Sequence, residues 1–123
     1  VSINTVKGLL GFNAPVIRVM PNTPLMVGLG ATAIVKQDPV TDDQFSFIKG
    51  CFDSCGITAV VDEENINTVI AASGSSPAYV FMFIEAMADA AVADGMPRQQ
   101  AYEFAAQAVY GSAKMILDQV AAK

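Results

Sequence analysis

Histidine and tryptophan are absent from all 123 residues, and cysteine occurs only twice. Without histidine, these residues hold no Ser-His-Asp or Cys-His nucleophile system, no His-Glu-x-x-His zinc motif and no imidazole proton shuttle. Positive charge is scarce: seven Lys and Arg against twelve Asp and Glu leave a formal net charge of −5. That balance repels phosphate backbones, and no Lys/Arg cluster provides a local exception, so neither nucleic acid nor an anionic membrane is expected as a partner. Charged residues make up 15% of the chain and hydrophobic ones 53%, which excludes a disordered chain and implies more apolar surface than one small monomer hides. The longest uncharged stretch, residues 65–84, carries Asn, Thr, three Ser, Gly and Pro, and so does not read as a spanning helix. No basic segment followed by an apolar core marks a secretory signal. Cys51 and Cys55, four apart on an expected helix, are poorly placed for a disulfide and too few for zinc. They read as plain buried thiols in a reducing cytoplasm, and no metal site is expected. The chain opens at Val1 with no strand-forming run and is expected to be a piece of a longer polypeptide.

Along the chain, residues 4–10 read as the tail of a helix stopped by Gly11. Residues 16–20, Val-Ile-Arg-Val-Met, form a short strand ended by Pro21. Pro21-Asn22-Thr23-Pro24 follows as a stiff extended loop, because Pro24 biases Thr23 away from helix. Residues 31–36 are β-branched enough for a second strand. Thr41-Asp42-Asp43-Gln44 is a capping box with two acids in the first turn. The helix it opens carries Phe45, Ile48, Phe52 and Cys55 on one face and ends at Gly56, before a third strand over residues 57–61. Strand, capped helix and strand make a βαβ unit, the closing part of an open α/β sheet. Composition changes after Asp62-Glu63-Glu64, and the remainder reads as helical. A short segment leads to Ser73-Gly74-Ser75-Ser76-Pro77, then a helix runs from Pro77 to about Asp94 with Gly95 as its stop, and another from Pro97 to about Val120. The fold class is therefore α/β followed by all-α, with residues 1–63 in the first lobe and 64–123 in the second.

Several motifs invite a chemical reading. Gly28-Leu29-Gly30-Ala31-Thr32-Ala33 matches the dinucleotide fingerprint, but a strand sequence follows where a helix must begin, so it reads as a glycine-bearing turn. Ser46-x-x-Lys49 lies inside the capped helix without the partner motifs of serine acylases. The acids at 62–64 suit a solvated helix start. Ser73-Gly74-Ser75-Ser76-Pro77 is open to two readings: small residues that let a ligand approach the backbone, or Ser76 capping the helix. Pro21-Asn22-Thr23-Pro24, a rigid amide-bearing loop beyond a strand end, suits the holding of a flat polar ring.

Taken together, Val16-Ile17-Arg18-Val19-Met20-Pro21-Asn22-Thr23-Pro24, Gly28-x-Gly30-Ala31-Thr32, Ser73-Gly74-Ser75-Ser76-Pro77-Ala78-Tyr79 and Gly95-Met96-Pro97-Arg98 resemble pyrroline-5-carboxylate reductase across essentially the whole chain. The resemblance departs at Ser76, where the family usually has Gly, and it drifts over residues 117–123. It implies an oxidoreductase of proline biosynthesis that transfers hydride from NADP or NAD (as NAD(P)H) to a cyclic imine, giving L-proline. Residues 1–63 would be the C-terminal part of a Rossmann-like sheet, and residues 64–123 a helical dimerisation lobe forming a homodimer or larger homo-oligomer.

By the same resemblance, Met20, Pro21 and Asn22 would line the nicotinamide side of the cleft. Glu63, Ser73 and Ser75 would lie toward the small-molecule imine. No side chain is assigned as a proton donor, which fits a reaction whose chemistry belongs to the cofactor. The family's Gly-rich phosphate loop and its Ser-Pro-Gly-Gly-Thr-Thr segment are not among these residues. The pyrophosphate and ribose sites are thus expected outside this chain, and the 123 residues alone are expected to be inactive. Two other readings stand beside this one: a non-catalytic helical association module on an α/β cap, and a related Rossmann-type reductase of another substrate.

Overall fold

Three strands, β1 (Arg18–Met20), β2 (Gly30–Val35) and β3 (Gly56–Val60), form one sheet in the order β1-β2-β3 in the computed structural model, which describes residues 1–122. β2 pairs antiparallel with β1, Met20 opposite Ala33, and parallel with β3, Gly30 opposite Gly56. As the central strand it buries Thr32, Ala33, Ile34 and Val35 on both faces, which its β-branched sequence tolerates. The crossover from β2 to β3 is helix α2 (Asp42–Asp53), so the expected βαβ unit is present. Its capping box forms in full: the Thr41 hydroxyl accepts from the Gln44 N–H while the Gln44 side chain accepts from the Thr41 N–H.

Helix α1 runs over Ile3–Leu10. The Ser2 hydroxyl caps the Thr5 N–H, and Gly11 closes the other end in the left-handed region. Ile3 at its start is buried with Ala33, Val35 and Ile66, and Val16, Met20, Val61, Val69 and Ile70 pack around them. Each such aliphatic side chain contributes about 1.5–3 kcal/mol when removed from water, so this cluster holds α1, the sheet and the segment after β3 together. That segment comprises a 3-10 turn (Glu63–Asn65), helix α3 (Ile66–Val69) and a π-turn (Ile70–Gly74). The compact α/β unit accordingly runs through Pro77. Composition marks where strands cease, near residue 63, whereas burial of Ile66 and Ile70 carries the chain along the sheet for another turn or two.

Ala78 onward forms a second compact unit. Helix α4 (Ser76–Ala93) supplies most of its first arm and α5 (Arg98–Ala121) its second, reversed through Gly95 at φ +101°. Ala88, Ala101 and Ala105 are buried where the arms meet, flanked by Ile84, Ala91, Val92 and Tyr102. Arg98 pairs with Asp89 at 3.0 Å. On α5 Ala101 and Ala105 are the buried residues, and Ile116 and Val120 are exposed.

Three local expectations are corrected. Pro21-Asn22-Thr23-Pro24 is not extended throughout: Asn22 is, but Thr23–Val27 winds into a 3-10 helix closed by left-handed Gly28. Cys51 is exposed and Cys55 half-exposed, because Cys51 shares the outward face of Phe47 one turn before it. Helix α2 ends at Asp53, with Ser54 as its cap, rather than at Gly56. Gly56 instead begins β3 at φ +148°, and a Cβ there would lie 2.1 Å from the Gly30 carbonyl oxygen.

Gly56→Ala should therefore cost about 3 kcal/mol or more, strain and backbone collision together, read as a lowered urea midpoint. Gly50→Ala, in an exposed part of α2 with open space around the new methyl, should instead stabilise by about 0.5–1 kcal/mol. Equal effects at the two positions would contradict the close Gly30–Gly56 approach.

Candidate functional site

Met20 ends β1, and the chain then leaves the sheet through Pro21 to Asn22. Asn22 is half-buried and its side-chain amide is committed at both ends. Its Oδ1 accepts the Ala31 N–H at 2.9 Å, and its Nδ2 donates to the Ser73 carbonyl at 3.3 Å. The first bond ties the 3-10 loop to the start of β2. The second crosses 51 residues of sequence to the π-turn.

The π-turn ends in Ser73-Gly74, and the Ser75 N–H donates to the Ile70 carbonyl at 2.9 Å. Ser73 Oγ donates to the Val69 carbonyl at 3.1 Å. Gly74 leaves room for Met20, whose Cε would lie 2.8 Å from a Cβ at that position. The structure thus joins Met20 and Asn22 on one side to Ser73 and Gly74 on the other, all within the α/β unit. Beside them a shallow hollow of about 140 Å³, lined by Ala31, Thr32, Ile57, Thr58, Val69 and Ser73, is smaller than a typical small-molecule pocket. A larger apolar groove of about 460 Å³ between β1 and α2 includes Ile17, Val19, Ile48 and Phe52, and none of the expected site residues lines it. Ser76 does not cap α4: its hydroxyl donates backwards to the Ala72 carbonyl at 2.6 Å, since the helical path is already running through the π-turn.

Glu63 has a different set of partners. One carboxylate oxygen accepts the Ile3 N–H at 2.8 Å and Arg18 Nη1 at 3.0 Å, and the other accepts Gln37 Nε2 at 3.4 Å. Its side chain is 18% exposed. The Ile3 N–H above all, with Arg18 and Gln37, holds its pKa below the ordinary glutamate value against the opposing effect of burial. Ile3 is the first residue of α1, so the carboxylate also meets the positive end of that helix.

Residues 63–123 match the family described as pyrroline-5-carboxylate reductase dimerisation. The chain is 51% identical over 118 residues to the pyrroline-5-carboxylate reductase of Escherichia coli K12, covering 96% of this chain and 44% of that protein. It is 42% identical to the Mycobacterium leprae enzyme, covering 98% and 41%. The structure superposes on pyrroline carboxylate reductase from Plasmodium falciparum, described with NADP bound, with a TM-score of 0.87 and 32% identity over 94% of this chain and 47% of that one.

The chain belongs to the pyrroline-5-carboxylate reductase family. It spans a little under half the length of the curated relatives it matches. Its α/β lobe followed by helices is the fold of the reductase structures it superposes on.

Sequence reasoning singled out Glu63 but missed the cluster around it. Its signal was Arg18, the only charge in the apolar run 16–20, since a half-buried guanidinium requires an acidic partner. The Asn22–Ser73 link left no pattern in residue spacing, because it depends on how the π-turn approaches the loop.

The lowered pKa of Glu63 sets a pH dependence. As pH falls, the unfolded chain takes up a proton at Glu63 before the folded chain does, so stability rises with pH in that window. The contribution is fully present above about pH 4.3 and is lost as pH drops through the lowered native value. Glu63→Gln removes this titration, and its urea midpoint should change less steeply between about pH 3 and 5 than that of the unsubstituted chain. Asp42 and Asp53, held low by hydrogen bonds from Lys36 and Lys49, titrate in both proteins and cancel. Equal slopes would show that the cluster adds nothing to folding.

Proposed function

We propose that these residues act, within a complete reductase, in hydride transfer from NAD(P)H to the cyclic imine pyrroline-5-carboxylate, giving L-proline in the cytoplasm. The observation that carries this reading is the joining of two motif segments distant in sequence, Met20-Pro21-Asn22 and Ser73-Gly74-Ser75, by the Asn22–Ser73 hydrogen bond. The first segment leaves the carboxyl end of β1 and, in this reading, lines the nicotinamide side. Ser73, Ser75 and Glu63 are assigned to the imine side. The reading is supported by the relatives' names and by the NADP of the Plasmodium falciparum protein.

The residues present fit the nicotinamide end of a dinucleotide and not its pyrophosphate. Gly28 closes a 3-10 turn and Gly30 enters β2, so Gly28-x-Gly30 offers no helix N-terminus to a phosphate. No step is assigned here to a side chain that gives or takes a proton. What this part of the chain contributes is orientation of two rings and exclusion of water between them.

The helical lobe is proposed to form a homodimer or larger homo-oligomer. Tyr79, Phe81, Met82 and Phe83 of α4 are all exposed in the single chain, Phe81 at 62%, and the match of residues 63–123 to a dimerisation family supports covering them with a second copy. The helical stretch Glu63–Ala93 is also long and apolar enough, by length and composition, to cross a membrane. Solution behaviour separates the two.

Two outcomes are expected. The complete reductase should oxidise NADPH or NADH when pyrroline-5-carboxylate is added, whereas calorimetry on the 123 residues alone should find no micromolar NADPH binding; a complete protein that leaves the imine unreduced overturns the reading. Sedimentation of the 123-residue chain should give a discrete dimer or larger species, and Phe81→Glu with Phe83→Glu should weaken it at least tenfold, since each uncovered ring contributes about 1.5–3 kcal/mol. Flotation with phosphatidylcholine vesicles in place of a discrete oligomer would assign the face to lipid.

A further inference from the structure

Pro77 denies the carbonyl of Ser73 one of its helical partners. In a continuous α-helix that carbonyl accepts the N–H four residues on, and the residue there is Pro77, which has none. The hydroxyls nearby do not meet the need: Ser73 Oγ donates to Val69 and Ser76 Oγ to Ala72. A side-chain donor that reaches the Ser73 carbonyl is Asn22 Nδ2, from the loop after β1, 51 residues earlier. Asn22 is itself held, because its Oδ1 accepts the Ala31 N–H.

We infer that Asn22 is a positioning residue, which supplies the donor that Pro77 withholds and thereby locks the Ser73-Gly74-Ser75 turn to the loop carrying Met20 and Pro21. The inference rests on the reductase reading for its kinetic consequence, though not for its structural one. An amide is suited to the task, since it is a donor at one end and an acceptor at the other. Met20 beside Gly74 adds a second contact between the same two segments, and the absence of a Cβ at Gly74 is what admits it. With its amide spent inside the protein, Asn22 affects the imine through the turn.

The test is made in the complete reductase. Asn22→Ala should raise the imine KM and lower kcat/KM for the imine roughly tenfold or more, the size of one lost hydrogen bond. Adding Pro77→Ala restores an N–H for the Ser73 carbonyl, so the double variant should recover most of the loss. Asn22→Asp gives an independent reading: its carboxylate repels the Ser73 carbonyl, whereas its protonated form again donates. Its imine efficiency relative to the unsubstituted enzyme should therefore rise as pH falls.

A double variant no better than Asn22→Ala, or an Asn22→Asp ratio flat with pH, would each overturn the inference. If the unsubstituted protein reduces no imine, the reductase reading falls and hydrogen exchange decides the strut alone. The Ser75 amide, bonded to the Ile70 carbonyl, should exchange roughly tenfold faster in Asn22→Ala. An unchanged rate there would overturn the strut as well.

Discussion

The carboxylate of Glu63 gathers three donors that lie 60, 45 and 26 residues away in sequence: the Ile3 N–H, the Arg18 guanidinium and the Gln37 amide. A three-stranded sheet with short strands has little pairing of its own to fix what surrounds it. The hydrophobic cluster of Ile3, Ala33, Val35 and Ile66 supplies attraction but little direction, because apolar burial is indifferent to angle. Directed bonds to Glu63 supply it, setting the start of α1, the register of β1 and the turn after β3 against one another. Arg18 lies two residues before Met20, so the strand that delivers Met20 and Asn22 is anchored by the same carboxylate. Removing one partner would leave a half-buried charge without its counterpart, which is why the cluster behaves as a unit.

What was legible in the sequence was local. The α2 capping box uses residues three apart, and it forms as read. The order strand, helix, strand, then helices, and the stops at Gly11 and Gly95, followed from periodicity and from residues that tolerate left-handed backbone. The misreadings share the opposite property. Cys51 was read as buried because thiols are usually so, while the side of α2 that meets the protein is chosen by the sheet. The 3-10 helix at Thr23–Val27 follows Asn22's extended backbone and the Ala31 bond, a contact nine residues away. Ser76 reads as a cap only if a helix starts there, and the π-turn before it leaves no such start. The candidate site was visible as two motif segments, but the bond joining them was not.

Proline and glycine act in this chain through what they omit. Pro77 omits a donor, and its consequence appears at Asn22 rather than at the proline. Gly30 and Gly56 omit side chains, so that β2 and β3 can begin with their backbones in direct contact. Gly74 omits a side chain and admits the methyl end of Met20. Each omission is local in sequence and answered by a group elsewhere, which makes the loop after β1 and the π-turn interdependent, although no single strong contact holds them.

The helical unit presents the reverse case, in which the strongest groups are left unanswered. Ala88, Ala101 and Ala105 are the residues buried where its two arms meet. Alanine lets the arms approach, but it removes little apolar area from water, and about 25 cal/mol per Å² over so small an area is a weak return against about 1–2 kcal/mol of backbone entropy for every ordered residue. Tyr79, Phe81 and Phe83 could offset that cost, yet each is more than half exposed. Within this unit, packing against α5 leaves that surface of α4 uncovered. Because those residues point around its axis rather than along one stripe, the covering surface must reach α4 from more than one side.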